Sequence, residues 1–296
     1  MLKLPTVWSE RYCVDAAPTN STSKQARVVD MVRGILDITD VELSSDAAWA
    51  DIARVHSPDY VNAVRTGRPR GLAESQGFSW SPAFAESVAR IWNGHSAACT
   101  LARIGRIVLH PVSGAHHAHR DRGGGFCTFN FLAGEALNCL RDSVASRVLI
   151  VDLDAHQGDG TYALAGGDSR IALFDIAGSD WMGGSGRGSG RVQYAVVRDS
   201  ESYWMRLQRL PALLDSFAPD LVQYQAGVDC YEGDPVGGIR GVTADFIAER
   251  DRYVINAIAD RHIPMVINLA GGYTDESEQM HAQTIRIALD ALVSHA

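Results

Sequence analysis

Apolar residues recur with two different spacings along this chain, and the two spacings alternate for most of its length. Short continuous apolar runs, rich in Val, Ile and Leu, are separated by segments in which apolar residues recur every three or four positions. Continuous apolar runs between helices are typical of central strands in a parallel sheet that is covered on both faces. The runs that predict strands are 106–110, 147–153, 170–176, 220–226 and 265–270.

The helical segments carry recognisable end signals. Ser57-Pro58 predicts a helix that ends at Gly67, and Ser81-Pro82 predicts a longer one that ends near Gly105, because serine is a good N-cap and proline suits the first helical position. The remaining predicted helices run from Thr243 to about Arg261 and from Glu276 toward the end of the chain. Alternating strands and helices predict an α/β fold, which we expect to form a single domain over residues 1–296.

Composition narrows the class of protein. With 46% hydrophobic and 21% charged residues, the chain is typical of a globular protein. Its formal charge of −8 disfavours nucleic acid as the main ligand, because nucleic-acid-binding surfaces are basic. No apolar run is long enough for a membrane span, and residues 1–15 contain acids and a proline where a secretory signal needs an apolar block. The five scattered cysteines predict reduced thiols and a cytoplasmic location.

Dense polar clusters follow four of the predicted strands. SGAHHAHRD comes after the first strand, DLDAHQGD after the second, GVDCYEGDP after 220–226, and GGYT after the last. In open parallel sheets, ligands bind beyond the carboxyl ends of the strands. The sequence therefore predicts a site assembled from loops at one edge of the sheet.

Asp154 and His156 are the first candidates for a metal site. Two residues that are two apart on an extended segment point the same way, and a catalytic zinc site needs three protein ligands and one free position. Asp234 is the preferred third ligand. Asp229 is the alternative, but it lies nearer its strand and is better placed for a structural role.

The adjacent pair His116-His117 is the second candidate. Imidazoles titrate near neutral pH and suit general acid and base catalysis, and each would need an orienting partner such as Asp152 or Asp159. Taken alone, either motif has a simpler explanation, since an isolated Asp-x-Asp is usually a turn and a His-His pair is usually surface or core. For the glycine-rich stretch 183–190 a flexible loop is the better interpretation, and for Cys127 a packing role.

Four stretches together resemble the zinc-dependent histone deacetylase family: SGAHHAHRDRGGGFCTFN, VDLDAHQGDGT, GVDCYEGDPVGG and AGGYT. Gln157, in a position where many members have a second histidine, makes the chain most similar to the class IV branch and its bacterial relatives. The resemblance covers roughly residues 50–290. It implies the arginase–deacetylase fold, a parallel sheet of about eight strands flanked by helices.

The resemblance also implies roles for individual residues. Asp154, His156 and Asp234 would hold the zinc ion, and Tyr273 would donate its hydroxyl to the oxyanion. His117 would be the general base, assisted by His116, with Asp152 and Asp159 orienting His116 and His117 respectively. A structural potassium ion near Asp152 and the backbone of Asp154 and His156 is also compatible with the family.

Other positions are assigned less directly. Gly125 and Phe126 would line the substrate tunnel, and Trp181 or Met182 would form its opposite wall. Ser113-Gly114-Ala115 departs from the family's usual approach to the histidine pair, and the product exit would be lined by Lys24 or Arg27. Glu74 is the candidate for an acidic residue at the tunnel rim.

The expected function is hydrolysis of an amide that links an acyl group to a lysine-like or polyamine-like amine. A binuclear manganese ureohydrolase is the alternative enzyme, but Gln157 and the single His156 disfavour a second metal. A non-enzymatic scaffold would be favoured by a missing tyrosine, dyad or ligand, and none is missing. The acyl chain length, the natural amine and the oligomeric state are left undetermined by the sequence.

Overall fold

The computed structural model describes residues 2–14, 23–42, 45–179 and 190–295. Eight strands in this part of the chain form one sheet in the order β2-β1-β3-β8-β7-β4-β5-β6, and every pairing is parallel. The strands are β1 (Leu4–Val7), β2 (Leu36–Thr39), β3 (Ile107–His110), β4 (Val148–Asp152), β5 (Ile171–Ala177), β6 (Val192–Val196), β7 (Leu221–Gln225) and β8 (Met265–Asn268). The expected α/β architecture with a parallel sheet of about eight strands is confirmed.

Helices cover both faces of the sheet. They are α1 (Lys24–Val32), α2 (Ser45–Val55), α3 (Pro58–Thr66), α4 (Arg70–Ala73), α5 (Pro82–Gly105), α6 (Phe131–Arg141), α7 (Asp159–Ala165), α8 (Ser200–Leu207), α9 (Leu210–Phe217), α10 (Ala244–Ala259) and α11 (Glu276–Ser294). The two helical layers are seen from adjacent residues of β7, whose side chains point to opposite faces of the sheet. Gln223 contacts His95 on α5, and Tyr224 contacts Asp251 on α10. None of the described helices has the length and apolar character needed to cross a bilayer.

The helix-end predictions are confirmed. Ser57 and Ser81 accept hydrogen bonds at Oγ from the backbone N–H three residues ahead, and a proline occupies the first turn of both α3 and α5. Gly67 ends α3 in the left-handed region with φ 76°, a conformation that glycine adopts without steric cost. Thr243 caps α10, which ends at Ala259 and so is two residues shorter than predicted.

Three strands lie outside the apolar runs that predicted the other five. β1 and β2 have only four residues each, and β1 contains Pro5. β6 is the edge strand next to β5, and its residues are partly exposed, so it lacks a continuous apolar run. These strands are recognised only when a neighbour pairs with them, because short or half-exposed strands carry weak patterns.

The register aligns one polar residue per strand at the carboxyl edge. His110 lies beside Asn268, Asn268 beside Gln225, Gln225 beside Asp152, and Asp152 beside Asp175. All five are buried, on the face that also carries Gln223. This row marks the level at which the strands stop and the functional loops begin, as expected for a parallel sheet whose ligands bind at the carboxyl ends.

Candidate active site

The segment after β4 brings one acid and one histidine to the centre of the sheet edge. Leu153 still donates its backbone N–H to the carbonyl of Gln225 on β7, so the chain stays extended for one residue beyond the strand. Asp154 and His156 follow, both buried, and the His156 ring nitrogen Nδ1 lies 3.0 Å from Asp154 Oδ1. The predicted convergence of these two side chains is therefore present.

Asp229 completes the tightest group of metal-ligating atoms in the described residues. One donor atom each of Asp154, His156 and Asp229 lies within 4.8 Å of the other two. Asp229 is fully buried, accepts the backbone N–H of Ala155 at 2.8 Å, and places Oδ2 3.0 Å from His156 Nδ1. Asp229, the alternative third ligand and the one better placed by sequence for a structural role, thus lies in the candidate metal group.

Asp234, the preferred third ligand, is held one turn further along the same loop. Its Oδ1 accepts the backbone N–H groups of Val236 at 2.9 Å and Gly237 at 3.2 Å, and its Oδ2 accepts that of Tyr273 at 2.8 Å. The carboxylate is therefore rigidly oriented and connects the loop after β7 with the loop after β8. It lies outside the 4.8 Å group, so the third-ligand assignment stays a prediction.

The electrostatics of this group favour a cation. Burial alone would lower the pKa of His156, but hydrogen bonds with Asp154 and Asp229 outweigh it and raise that pKa to about 11. Burial, together with the charge of Asp154, raises the pKa of Asp229 to about 6. A divalent cation would neutralise the excess negative charge of carboxylates that compete for the proton of one imidazole. Zinc accepts two carboxylates and one imidazole as ligands.

The loop after β3 carries His116 and His117, whose ring centroids are 4.0 Å apart. Nδ1 of His116 lies 2.9 Å from Asp152 Oδ2, and Nδ1 of His117 lies 2.7 Å from Asp159 Oδ1. Each histidine is thus together with the aspartate expected for it. Burial lowers the pKa of both imidazoles, which favours neutral rings whose Nδ1 donates to the paired carboxylate.

Tyr273 reaches the site through a loop that requires glycine. Gly271 donates its N–H to Asp154 Oδ2 at 3.0 Å, and a Cβ atom at this position would lie 2.3 Å from Asp229 Oδ2. Gly272 has φ +148°, a conformation that side chains disfavour. Burial raises the pKa of the Tyr273 hydroxyl above its usual range, so the phenol remains a hydrogen-bond donor.

Gly125 and Phe126 form one wall beside the histidine pair. Gly125 has φ +50°, and a Cβ atom there would lie 2.3 Å from His117 Cδ2, so only glycine allows this close approach. The Phe126 ring stacks on Phe78 with centroids 5.5 Å apart. Trp181 and Met182, expected on the opposite wall, lie outside the described residues, as does most of the glycine-rich stretch 183–190.

One cavity is lined by residues from several of these elements. Its lining includes His116, His117, Asp154, His156, Tyr273, Gly125 and Phe126, together with apolar residues such as Trp8, Phe84, Ile91 and Trp92. Buried clefts that are mostly apolar and have a few convergent polar groups are typical of small-molecule sites.

Lys24 is the charged residue of the N-terminal region that lines this cavity. It is fully buried and donates from Nζ to the carbonyls of Ala270 and Gly272, both at 2.9 Å. Burial lowers its pKa to about 8, against the opposing effect of the nearby aspartates. Arg27, the alternative, pairs with Glu278 at the surface. Lys24 therefore tethers the loop that carries Tyr273.

Three further positions differ from or extend the sequence interpretation. Glu74 accepts the backbone N–H of Trp80 at 2.6 Å and pairs with Arg70, so its carboxylate is engaged within its own loop. Cys127 is buried and donates to Gly125, which fits the expected packing role. His119 has no assigned role in the sequence interpretation, yet its Nε2 lies 3.0 Å from Asp159 Oδ2. Its place two residues after His117 was the only available signal.

Several known proteins are similar to this chain. The family model described as histone deacetylase domain matches residues 19–288. The chain is 28% identical over 282 residues to histone deacetylase 2 of Arabidopsis thaliana, covering 89% of this chain and 72% of that protein. It is 29% identical over 232 residues to acetylpolyamine amidohydrolase of Mycoplana ramosa, covering 72% and 62% of the two chains.

A solved structure shares the fold. The crystal structure of acetylpolyamine aminohydrolase from Burkholderia pseudomallei superposes with a TM-score of 0.80 at 20% sequence identity, covering 98% of this chain and 99% of that one. With a family model that spans most of its length, this chain belongs to the histone deacetylase family of hydrolases, enzymes that remove acyl groups from amines by cleaving amide bonds.

Proposed function

We propose that this protein is a zinc-dependent deacylase that removes an acetyl or other acyl group from a lysine-like or polyamine-like amine. One observation carries the proposal: two His–Asp pairs, a buried group of metal-ligating side chains and Tyr273 converge on the same cavity. We also propose that residues 1–296 act as one catalytic domain, because loops from a single sheet supply all of these groups.

Asp154, His156 and Asp234 would hold the zinc ion, His156 through Nδ1, which faces Asp154, while its Nε2 donates to the carbonyl of Val236 at 3.2 Å. Zinc supplies Lewis acidity, which polarises the amide carbonyl and acidifies water. The donor set suits this ion because it combines carboxylates with one imidazole and bears an excess of negative charge. Asp229 is assigned the supporting role because its Oδ1 already accepts the backbone N–H of Ala155, between the two ligands Asp154 and His156.

His117 would act as the general base. Its Nδ1 donates to Asp159, which leaves Nε2 facing the cavity to take a proton from the attacking water. The Asp159 carboxylate then stabilises the imidazolium that forms. His116, paired in the same way with Asp152, would provide a second polar ring beside the reacting atoms. The captured proton would finally move from His117 to the leaving amine nitrogen, releasing a free amine and a carboxylate.

Tyr273 would donate its hydroxyl to the oxyanion that develops on the carbonyl oxygen. Its backbone is fixed by the N–H bond to Asp234, and Lys24 holds the carbonyls on either side of Gly271. A donor that is positioned before the reaction stabilises the transition state without reorganisation. Lys24 would also line the product exit, since it faces the cavity and Arg27 does not.

A structural potassium ion beside Asp152 is also part of the proposal. It would be held by the Asp152 carboxylate and by backbone oxygens of Asp154 and His156. Asp175 supports this placement, because it pairs in register with Asp152 and its Oδ1 has no hydrogen-bond partner in the described part of the chain. Potassium would raise the melting temperature above its value in tetramethylammonium chloride at equal ionic strength, and equal melting temperatures would reject the ion.

The central experiment combines metal analysis with turnover. The purified protein is expected to contain about one zinc ion per chain and to hydrolyse a fluorogenic acetyl-lysine amide or an acetylated polyamine, with inhibition by a hydroxamate chelator. Comparing acetyl-lysine peptide, acetylputrescine and acetylspermidine would identify the preferred amine. Zinc without hydrolysis of any acylated amine, or two manganese ions per chain, would contradict the proposal.

A further inference from the structure

The carboxylate of Asp159 is contacted by two imidazoles. Oδ1 lies 2.7 Å from His117 Nδ1, and Oδ2 lies 3.0 Å from His119 Nε2. Asp159 is the first residue of α7, and both Asp159 and His119 are largely buried, with side-chain exposures of 17% and 18%. The base is therefore one end of a chain of three residues, His117–Asp159–His119.

The backbone around His119 is held from two sides. Its N–H donates to the carbonyl of Arg122 at 2.9 Å, and its carbonyl accepts a hydrogen bond from Nδ1 of His56 at 2.8 Å. His56 is itself fully buried, and its Nε2 accepts the N–H of Asn130. Because this support fixes the backbone, the approach of His119 to Asp159 is set by the fold and does not depend on a mobile surface side chain.

The two contacts constrain the carboxylate in different ways. His117 alone would leave Asp159 free to rotate about its terminal torsion, which is broad for a carboxylate. A second donor on the other oxygen fixes the plane of the carboxylate and with it the direction of the bond to His117. Charge-assisted hydrogen bonds are directional enough for such a constraint to matter.

We propose that His119 is a positioning residue of the deacylase reaction, holding Asp159 in the orientation that His117 requires. The inference rests on the proposed function, in which His117 is the general base. Among the described residues, His119 neither lines the cavity nor belongs to the metal group, and its side chain reaches the base through Asp159. Its removal should weaken turnover without weakening substrate binding.

The first test compares two variants. His119→Ala removes the donor, whereas His119→Gln keeps an N–H group at a similar reach. We expect His119→Ala to lower kcat roughly tenfold, the effect of disturbing one charge-assisted hydrogen bond, with KM within about twofold of wild type. His119→Gln should recover most of this loss. Equal losses in both variants, or a loss confined to KM, would contradict the proposal.

A double-mutant cycle separates positioning from a general structural role. In an Asp159→Asn background, His119→Ala should have no further effect on kcat, because the group through which it acts is already altered. Additive losses would show that His119 acts by another route. The melting temperatures of all four proteins are measured alongside, and a matching loss of stability and activity would identify a merely structural role.

An activity-independent measurement distinguishes this inference from the proposed function. The His117 Nδ1 proton should give a low-field NMR signal that disappears in Asp159→Asn and moves upfield in His119→Ala. An inactive wild-type protein that still shows this dependence would overturn the proposed function but leave the positioning role intact. A signal and a kcat that His119→Ala leaves unchanged would overturn the positioning role.

Discussion

Two buried polar clusters lie on opposite sides of the segments that leave β4 and β7, and they differ in how their charges are balanced. On the α10 side, Arg250 and Asp251 form an ion pair with both side chains completely buried. On the cavity side, Asp154 and Asp229 share His156. Both clusters contact the same two loops, so the comparison isolates the effect of charge balance.

The Arg250 cluster is balanced in charge. Nη1 of Arg250 donates to the carbonyls of Leu153 at 3.1 Å and Gly227 at 2.7 Å, while its Nε donates to Asp251. The Asp251 carboxylate also accepts hydrogen bonds from Tyr224 and Thr284. One positive and one negative charge cancel here, and the guanidinium ties together the two loops that carry the metal-binding candidates.

The cavity cluster has more acids than bases. Its imidazole has a pKa raised to about 11 after the effect of burial is outweighed by two aspartates, and the pKa of Asp229 is raised to about 6, chiefly by burial. Such values indicate carboxylates that compete for one proton. The difference teaches that a buried charge with an internal partner is retained in the core without a bound ion, whereas a buried excess of one sign is a place for a bound ion and for chemistry.

If the cavity cluster serves chemistry, changes there should alter turnover and spare stability. His117→Ala is expected to lower kcat by about 10²–10⁴-fold, the usual contribution of a general base, with zinc content near that of wild type. Kinetics with an acetyl-lysine amide and metal analysis check this. Loss of zinc together with activity would mean that His117 is a ligand.

The Arg250 cluster should show the opposite behaviour. Arg250→Met leaves Asp251 buried without its cation and should lower the free energy of unfolding by about 3–5 kcal/mol, measured by urea denaturation. Arg33→Ala is the matched control, since it breaks exposed pairs with Glu10 and Asp30 and should cost less than about 1 kcal/mol. Similar costs for the two variants would remove the basis of the comparison.

Tyr273→Phe deletes one hydroxyl from the cavity and should reduce kcat by about 10²–10³-fold, because a preorganised oxyanion donor is lost. KM and the melting temperature should stay close to those of wild type, since the ring and its packing are retained. A variant with normal turnover would exclude the hydroxyl from the reaction.

Asparagine variants of Asp229 and Asp234 test which of the two is the third zinc ligand and whether the cavity cluster has an excess of negative charge. Asp229→Asn should weaken zinc binding by about 10–100-fold, as is typical for a residue that orients a ligand, whereas Asp234→Asn should weaken it further. In metal-free protein at pH 7, Asp229→Asn should leave stability unchanged or raised, because one of the competing buried carboxylates is removed. If the order of zinc affinities is reversed, Asp229 is the ligand.

Glu135 on α6 is intermediate between the paired Arg250 cluster and the unbalanced cavity cluster. It is buried, and it accepts a hydrogen bond from a neutral donor, the Asn138 amide, at 2.9 Å. Burial raises its pKa from 4.5 to about 7. The folded state therefore binds a proton between these values that the unfolded state does not, so stability falls as pH rises through this window. Glu135→Gln should be more stable than wild type by roughly 1–3 kcal/mol at pH 8, and the difference should vanish near pH 4.

Much of the molecule follows from local pattern. Ser57, Ser81 and Thr243 predicted helix starts, and five apolar runs predicted the central strands, because capping and burial act over a few residues. β1, β2 and β6 escaped prediction because short or half-exposed strands depend on their neighbours for definition. The family followed from four motifs whose joint occurrence is specific.

The sequence by itself determined the fold class, the family and the chemical groups of the site, since these depend on residue types and their spacing. The tertiary structure alone decided three further contacts around these groups. His119 beside Asp159, Lys24 beneath the Tyr273 loop and Asp229 against His156 are contacts between residues that lie up to 248 positions apart. Such contacts depend on the order in which the strands pair, and distances of a few ångströms across a sheet edge leave no periodic trace along the chain.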